Sequence, residues 1–139
     1  MPDLLDSDDL RLLADIGFIA ASHGHMAHAK AIFGAIDAMR PDSEAAAIGL
    51  AMVDLSAANP EAALVRLNRA PVTPAVRAFR GLAYLRSGDH ASASAILESV
   101  LEETPTDAAA DIARAAREEA RSPVQTGLSE LLARRSEAP

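Results

Sequence analysis

Two small residues set on either side of a turn glycine constrain this chain more than any other feature. The stretch from Pro74 to Asp107 is PAVRAFRGLAYLRSGDHASASAILESVLEETPTD. Within it Gly81, Tyr84, Gly88, Ala93, Leu97, Val100 and Pro105 follow in that order. Gly81 and Ala93 offer no bulk where two antiparallel helices must approach closely. Gly88 falls where the chain must reverse, and glycine enters left-handed backbone angles without steric cost. Asp89 is placed to cap the second helix, and Pro105 cannot continue it. Leu82, Leu85, Ile96, Leu97, Val100 and Leu101 supply large apolar groups. The spacing predicts one helix–turn–helix unit.

The same order recurs upstream. Ser7 stands where a helix cap is expected, and Asp8 and Asp9 suit the positive end of a helix dipole. Leu10, Leu13, Ile16 and Gly17 share one apolar face at helical spacing. That helix is expected to end near Ser22, with Gly24 at the bend. A second helix is expected from Met26 to Met39, stopped at Arg40–Pro41. Gly17, Gly24, Ala29, Phe33, Ile36 and Pro41 match the later unit, and Ala20 stands where Tyr84 stands. The middle unit is the most degenerate. Asp42 or Ser43 caps its first helix, and Asn59–Pro60 starts its second. Ala63, Leu67 and Ala70 fall at the expected places. Ala51 replaces the small glycine, Asp54 the aromatic and Ala58 the turn glycine. Pro71 and Pro74 cut the unit short, so its second helix should be short too. This order of small residue, aromatic, turn glycine, alanine, large apolar residue and proline resembles the tetratricopeptide repeat (TPR).

The resemblance implies an all-α fold, a right-handed solenoid of helical hairpins. It divides the chain into a leader over residues 1–9, repeats near 10–43, 44–73 and 74–107, and a capping helix over 107–121. Thr106 and Asp107 cap that last helix. Asp111–Arg114 and Arg114–Glu118 are spaced for ion pairs on its surface. Its thin apolar face of Ile112 and alanines suits the end of an array. Residues 122–139 follow as an amphipathic tail with Leu128, Leu131 and Leu132.

Composition supports helices over a β-sandwich. Half of the 139 residues are hydrophobic, yet only 3% are aromatic, and sheets want β-branched and aromatic side chains. There is no cysteine, so disulfides, thiolate metal sites and cysteine nucleophiles are excluded. The absence fits a reducing cytosol. No apolar run approaches the length of a membrane-spanning helix, and the acidic N-terminus lacks the basic region of a secretory signal. A net charge of −7 offers no basic face to phosphates, which argues against nucleic acid as a partner.

A TPR array lines its concave side with the first helix of each repeat. In this register the lining would be Ala14, Phe18, Ala21 and Ser22, then Ile48, Met52, Leu55 and Ser56, then Ala78, Leu82, Leu85 and Arg86. TPR domains that clamp a C-terminal carboxylate carry lysine, arginine and asparagine at such places. Apart from Arg86 this chain lacks them, which sets that mode aside. A mostly apolar lining would instead take the apolar face of an amphipathic helix. Phe18 and Met52 are the leading anchors, since methionine adapts to irregular partners.

Small, acidic, cysteine-free TPR chains of this kind resemble the cytosolic chaperones of bacterial type III secretion. The segment GFIAASHGHMAHAKAIFGAIDAMRP followed by AAIGLAMVDL is most similar to the needle-subunit cochaperones. That resemblance implies a protein partner with an exposed amphipathic helix, a bacterial cytoplasmic location and no membrane insertion. It also leaves open a homodimer or a heterocomplex with a second small chaperone. The translocator chaperones, and a TPR adaptor that self-associates through its C-terminal leucines, are the alternatives.

Chemistry finds few footholds. His23, His25 and His28 cluster at a turn, but no carboxylate lies beside them and turn geometry would have to converge the rings. Solvated turn histidines account for them better than a metal site, and His90 is isolated. Ser92, Ser94 and Ser99 lie near His90 without a nucleophile elbow, and no glycine-rich phosphate loop is present. The expectation is a binding protein with no cofactor and no catalytic residues.

Overall fold

The structure, a computed structural model, describes residues 5–121. Those residues form seven α-helices and no strand. They are α1 (Ser7–Ser22), α2 (Met26–Met39), α3 (Glu44–Ser56), α4 (Pro60–Asn68), α5 (Pro74–Ser87), α6 (His90–Glu103) and α7 (Ala108–Arg121). The amphipathic tail expected over residues 122–139, with Leu128, Leu131 and Leu132, lies outside the described residues.

Short polar side chains fix where the helices start. Ser43, Asn59, Thr73, Asp89 and Asp107 each accept a hydrogen bond from the backbone N–H three residues on, which satisfies one orphan donor per helix. Asp107 makes this bond for α7, and Thr106 is not needed. Two hydrogen bonds from Ser92, first from its hydroxyl and then from its backbone N–H, hold the Asp89 carboxyl below its ordinary pKa. At α1 the cap is Asp6, where the sequence pointed to Ser7. Asp9 N–H donates to Asp6 Oδ1 at 2.9 Å and Asp6 N–H donates to Asp9 Oδ2 at 3.1 Å. From Asp6 the third residue on is a carboxylate that closes this reciprocal box; from Ser7 it would be Leu10, which cannot. Ser7 to Asp9, expected in the leader, are therefore the first turn of α1.

The reversals use left-handed backbone at Gly24 (φ 79°), Ala58 (φ 57°) and Gly88 (φ 92°). These are the three positions that the sequence pattern aligns. The second helix of the middle unit, α4, is nine residues long, as the early Pro71 requires.

Each helix packs on the next, and α1 packs on α3, α3 on α5, and α5 on α7. No contact joins α2 to α4 or α4 to α6. The odd-numbered helices thus form a continuous row, while the even-numbered ones stand apart behind it.

Three core clusters follow this row. The first centres on Phe33 of α2, which is fully buried. Its ring is wedged between two glycines, Gly17 of α1 and Gly49 of α3. A Cβ at Gly17 would lie 2.8 Å from Phe33 Cζ, and one at Gly49 would overlap the ring at Cγ and Cδ2. The second cluster joins α3, α4 and α5 through Ile48, Leu55, Leu67 and Val76. In the third, Leu97 and Val100 of α6 meet Ala78 of α5 and Ala109, Ala113 and Ala116 of α7. There Leu97 lies against Gly81, where a Cβ would come within 2.5 Å of its Cδ2. Leu10, Gly17 and Leu13 face this interior as expected, but Ile16 does not; it is 46% exposed on the opposite side of α1.

Ion pairs bind neighbouring helices. Arg66 of α4 donates to Asp54 of α3 at 3.0 Å, so Asp54 ties the middle hairpin where Tyr84 sits in the later one. Arg77 of α5 reaches Glu103 and Ser99 of α6. Within α7, Asp111 pairs with Arg114 at 3.0 Å, and the other branch of that guanidinium goes to the Pro105 carbonyl.

Candidate functional site: an apolar row along the odd-numbered helices

The lining positions expected from the sequence separate into three environments. Ala14, Ala21, Ile48, Leu55 and Ala78 are buried. They are small or branched residues at the seams between helices, so their contacts are internal and they offer no surface to a ligand. Ser22, Ser56 and Arg86 are exposed. The Ser22 and Ser56 hydroxyls donate back to the carbonyls of Ile19 and Val53, which occupies them locally. Phe18, Met52, Leu82 and Leu85 are half-buried, the condition of side chains that both pack and present a face.

Three of those four sit where clusters join. Phe18 and Met52 pack against both the first and the second cluster. Leu82 packs against both the second and the third. The Phe18 ring meets Phe33 at a centroid distance of 4.8 Å and an interplanar angle of 58°, a tilted contact that fixes its orientation. Leu85 borders a separate hollow between α6 and α7 with His90 and Leu97.

Two members of the row come from the structure. Phe79 of α5 and Ile112 of α7 are half-buried and pack on the second and third clusters. With Leu82, Ala115 and Ala116 they line an open cleft of about 640 Å³ between α5 and α7. Phe79 stands three residues before Leu82, so helical spacing alone could have found it. The register chosen at Ala78 passed over it.

The cleft has a polar rim. Arg86 donates to Glu119 at 3.1 Å, with both side chains about 40% exposed. Glu118 adds a second carboxylate beside it. Exposed pairs of this kind add little stability; their effect is to close one end of the cleft with charge. A second hollow, about 270 Å³, lies beside Phe18 and Ala14 with Arg11, Asp15 and Arg40 at its edge.

The remaining polar clusters have local explanations. The His23 and His25 rings lie 6.5 Å apart and the His25 and His28 rings 5.9 Å apart, all exposed. Among the described residues no group of three His, Cys, Asp or Glu side chains is arranged to hold a metal ion. Ser92 Oγ donates to Asp89 and Ser99 Oγ to the Ile96 carbonyl, so both hydroxyls serve helix α6. Among the described residues no helix is long and apolar enough to cross a membrane. No protein-family model matches this chain, and no curated protein is significantly similar to it in sequence.

Proposed function

We propose that this chain is a TPR-like solenoid that binds a partner protein by covering an amphipathic helix, without chemistry. Three helical hairpins, α1–α2, α3–α4 and α5–α6, would be the repeats, and α7 the cap. The observation that carries this reading is the row of half-buried apolar side chains Phe18, Met52, Phe79, Leu82 and Ile112 along the odd-numbered helices. Apolar anchors spaced along successive helices fit a helix whose own apolar residues recur every third or fourth position. Each anchor is already half-buried, so its full desolvation by a partner would contribute about 1 kcal/mol before ordering costs. The acidic balance of the chain, −7, would keep such a complex soluble.

Within this reading, the resemblance of residues 17–41 and 46–55 to the needle-subunit cochaperones of type III secretion suggests the partner: a bacterial subunit whose amphipathic helix otherwise drives polymerisation. Covering that helix would hold the subunit monomeric in the cytoplasm.

The test begins with the partner that co-purifies from the native cell, identified by mass spectrometry. Its affinity for the purified chain is then measured for Met52→Glu and Leu82→Glu. Both side chains are partly exposed, so helicity by circular dichroism should hold while affinity falls by at least about tenfold. Unchanged affinity in both folded variants would overturn the groove.

A further inference from the structure

Helix α1 is apolar on two faces. Leu10, Ala14, Gly17 and Ala21 turn inward and are buried. Leu12, Ile16 and Ile19 turn outward and are 61%, 46% and 58% exposed. Their steps of four and three residues form the a/d seam of a short coiled coil. Three large aliphatic side chains in one line are a patch, unlike the scattered apolar residues of ordinary surfaces. Among the described residues α1 packs only on α2 and α3, and neither covers this seam.

We propose that a second copy of this chain docks on it, α1 against α1 and antiparallel, about a twofold axis at Ile16. The spacing suits that symmetry. Ile16 meets its own copy, and Leu12 falls within one residue of Ile19 of the second copy on either side. Charge then selects the direction. Asp8 and Asp9 lie in the first turn of α1, while His23 and His25 follow its last turn. Antiparallel docking sets each acidic end against an imidazole end, with Asp9 and His23 each seven residues from Ile16. It also opposes the two helix dipoles. Parallel docking would place acid on acid. Asp15, on the flank of the seam, approaches its own copy across the axis; this like-charge contact keeps the association weak and reversible. Residues 122–139 are the competing occupant. They follow α7 in the sequence, and among the described residues α7 packs only on α5 and α6, so reaching α1 would require ordering a long crossing.

The chain has no cysteine, which makes a clean crosslinking test. Ile16→Cys should form a disulfide-linked dimer under mild oxidation, at least about ten times faster than Val72→Cys, which is 78% exposed off the seam. In sedimentation across a concentration series, the full chain should show a monomer–dimer equilibrium. Ile16→Glu should weaken it at least about tenfold with helicity retained, and Ile19→Lys should do the same should the first variant fold poorly. A full chain that stays monomeric at every concentration overturns the proposal, as does a dimer indifferent to both substitutions. Equal crosslinking rates overturn the register. A full chain that is monomeric while a chain lacking residues 122–139 dimerises would give the seam to the tail instead.

Discussion

Ala58 holds a backbone angle that the equivalent turns leave to glycine. Its φ of 57° matches Gly24 and Gly88 in sign, and it is the non-glycine residue with positive φ among those described. A Cβ in that region costs about 1–2 kcal/mol. Ala58 is exposed at the turn, so Ala58→Gly relieves strain without opening a cavity. The variant should be more stable by about 0.5–1 kcal/mol once glycine's extra unfolded-state entropy is counted, read as a higher urea midpoint at constant slope. Gly49 presents the opposite case. A Cβ there overlaps the base of the Phe33 ring, which is anchored near its own backbone and cannot swing aside. Gly49→Ala should cost about 1–3 kcal/mol by overpacking, measured in the same denaturation experiment. The Ala58 strain was legible in the sequence, because the repeat spacing aligned it with two glycines. The Gly49 contact was not: the same spacing put Ala51 at the small-residue position, and nothing in a linear pattern says that an aromatic from the preceding helix will be wedged two residues earlier.

The starts of α2 to α7 were legible to within a residue because capping is local chemistry, whereas the leader was drawn three residues too far into α1 and Ala70 was placed in α4, which ends at Asn68. An acceptor side chain, its target N–H three residues later and a proline stop are all written within one turn. Asp6 was missed because the reciprocal box needs Asp9 to be read as a capping partner, when it also fits as a dipole charge. Faces were harder. The register that assigned Ala78 and Leu85 to the groove is rotated from the one that places Phe79 beside Leu82, and Ile16 was assigned to the core when it points outward. Both errors arise because several helices here carry small apolar residues on more than one side, so periodicity alone does not select the buried face. Helix α7 shows how tightly such alanine-rich elements dock. Ala113 has no exposed surface and packs on the third cluster. Ala113→Leu would force α7 away from α5 and α6 at a cost of about 1–3 kcal/mol. A fall in thermal midpoint checks this, with loss of the Phe79–Ile112 cleft expected to weaken partner binding in parallel.

At the scale of the molecule, contacts among the described helices run only between neighbours or next neighbours along the chain. Stability is then carried locally, cluster by cluster. Leu97→Ala, in the third cluster, should cost about 2–5 kcal/mol. Its effect on amide exchange should be concentrated in α5, α6 and α7, with α1 and α2 slowest to respond; uniform loss of protection along the chain would contradict that picture. The exposed a/d seam of Leu12, Ile16 and Ile19 on α1 shares no residue with the half-buried row along the odd-numbered helices. The gap between α2 and α4 has a further consequence. The hollow there, about 500 Å³ and bordered by Asp37, Val65, Arg66 and Arg69, leaves α3 as the one member of its hairpin that touches α1 and α2. Among the described residues the first hairpin is therefore fastened to the others through a single helix, which grips α1 and α2 alike. Phe33, lodged between glycines of α1 and α3, is the rivet of that joint, and loosening it would part the first hairpin from the rest.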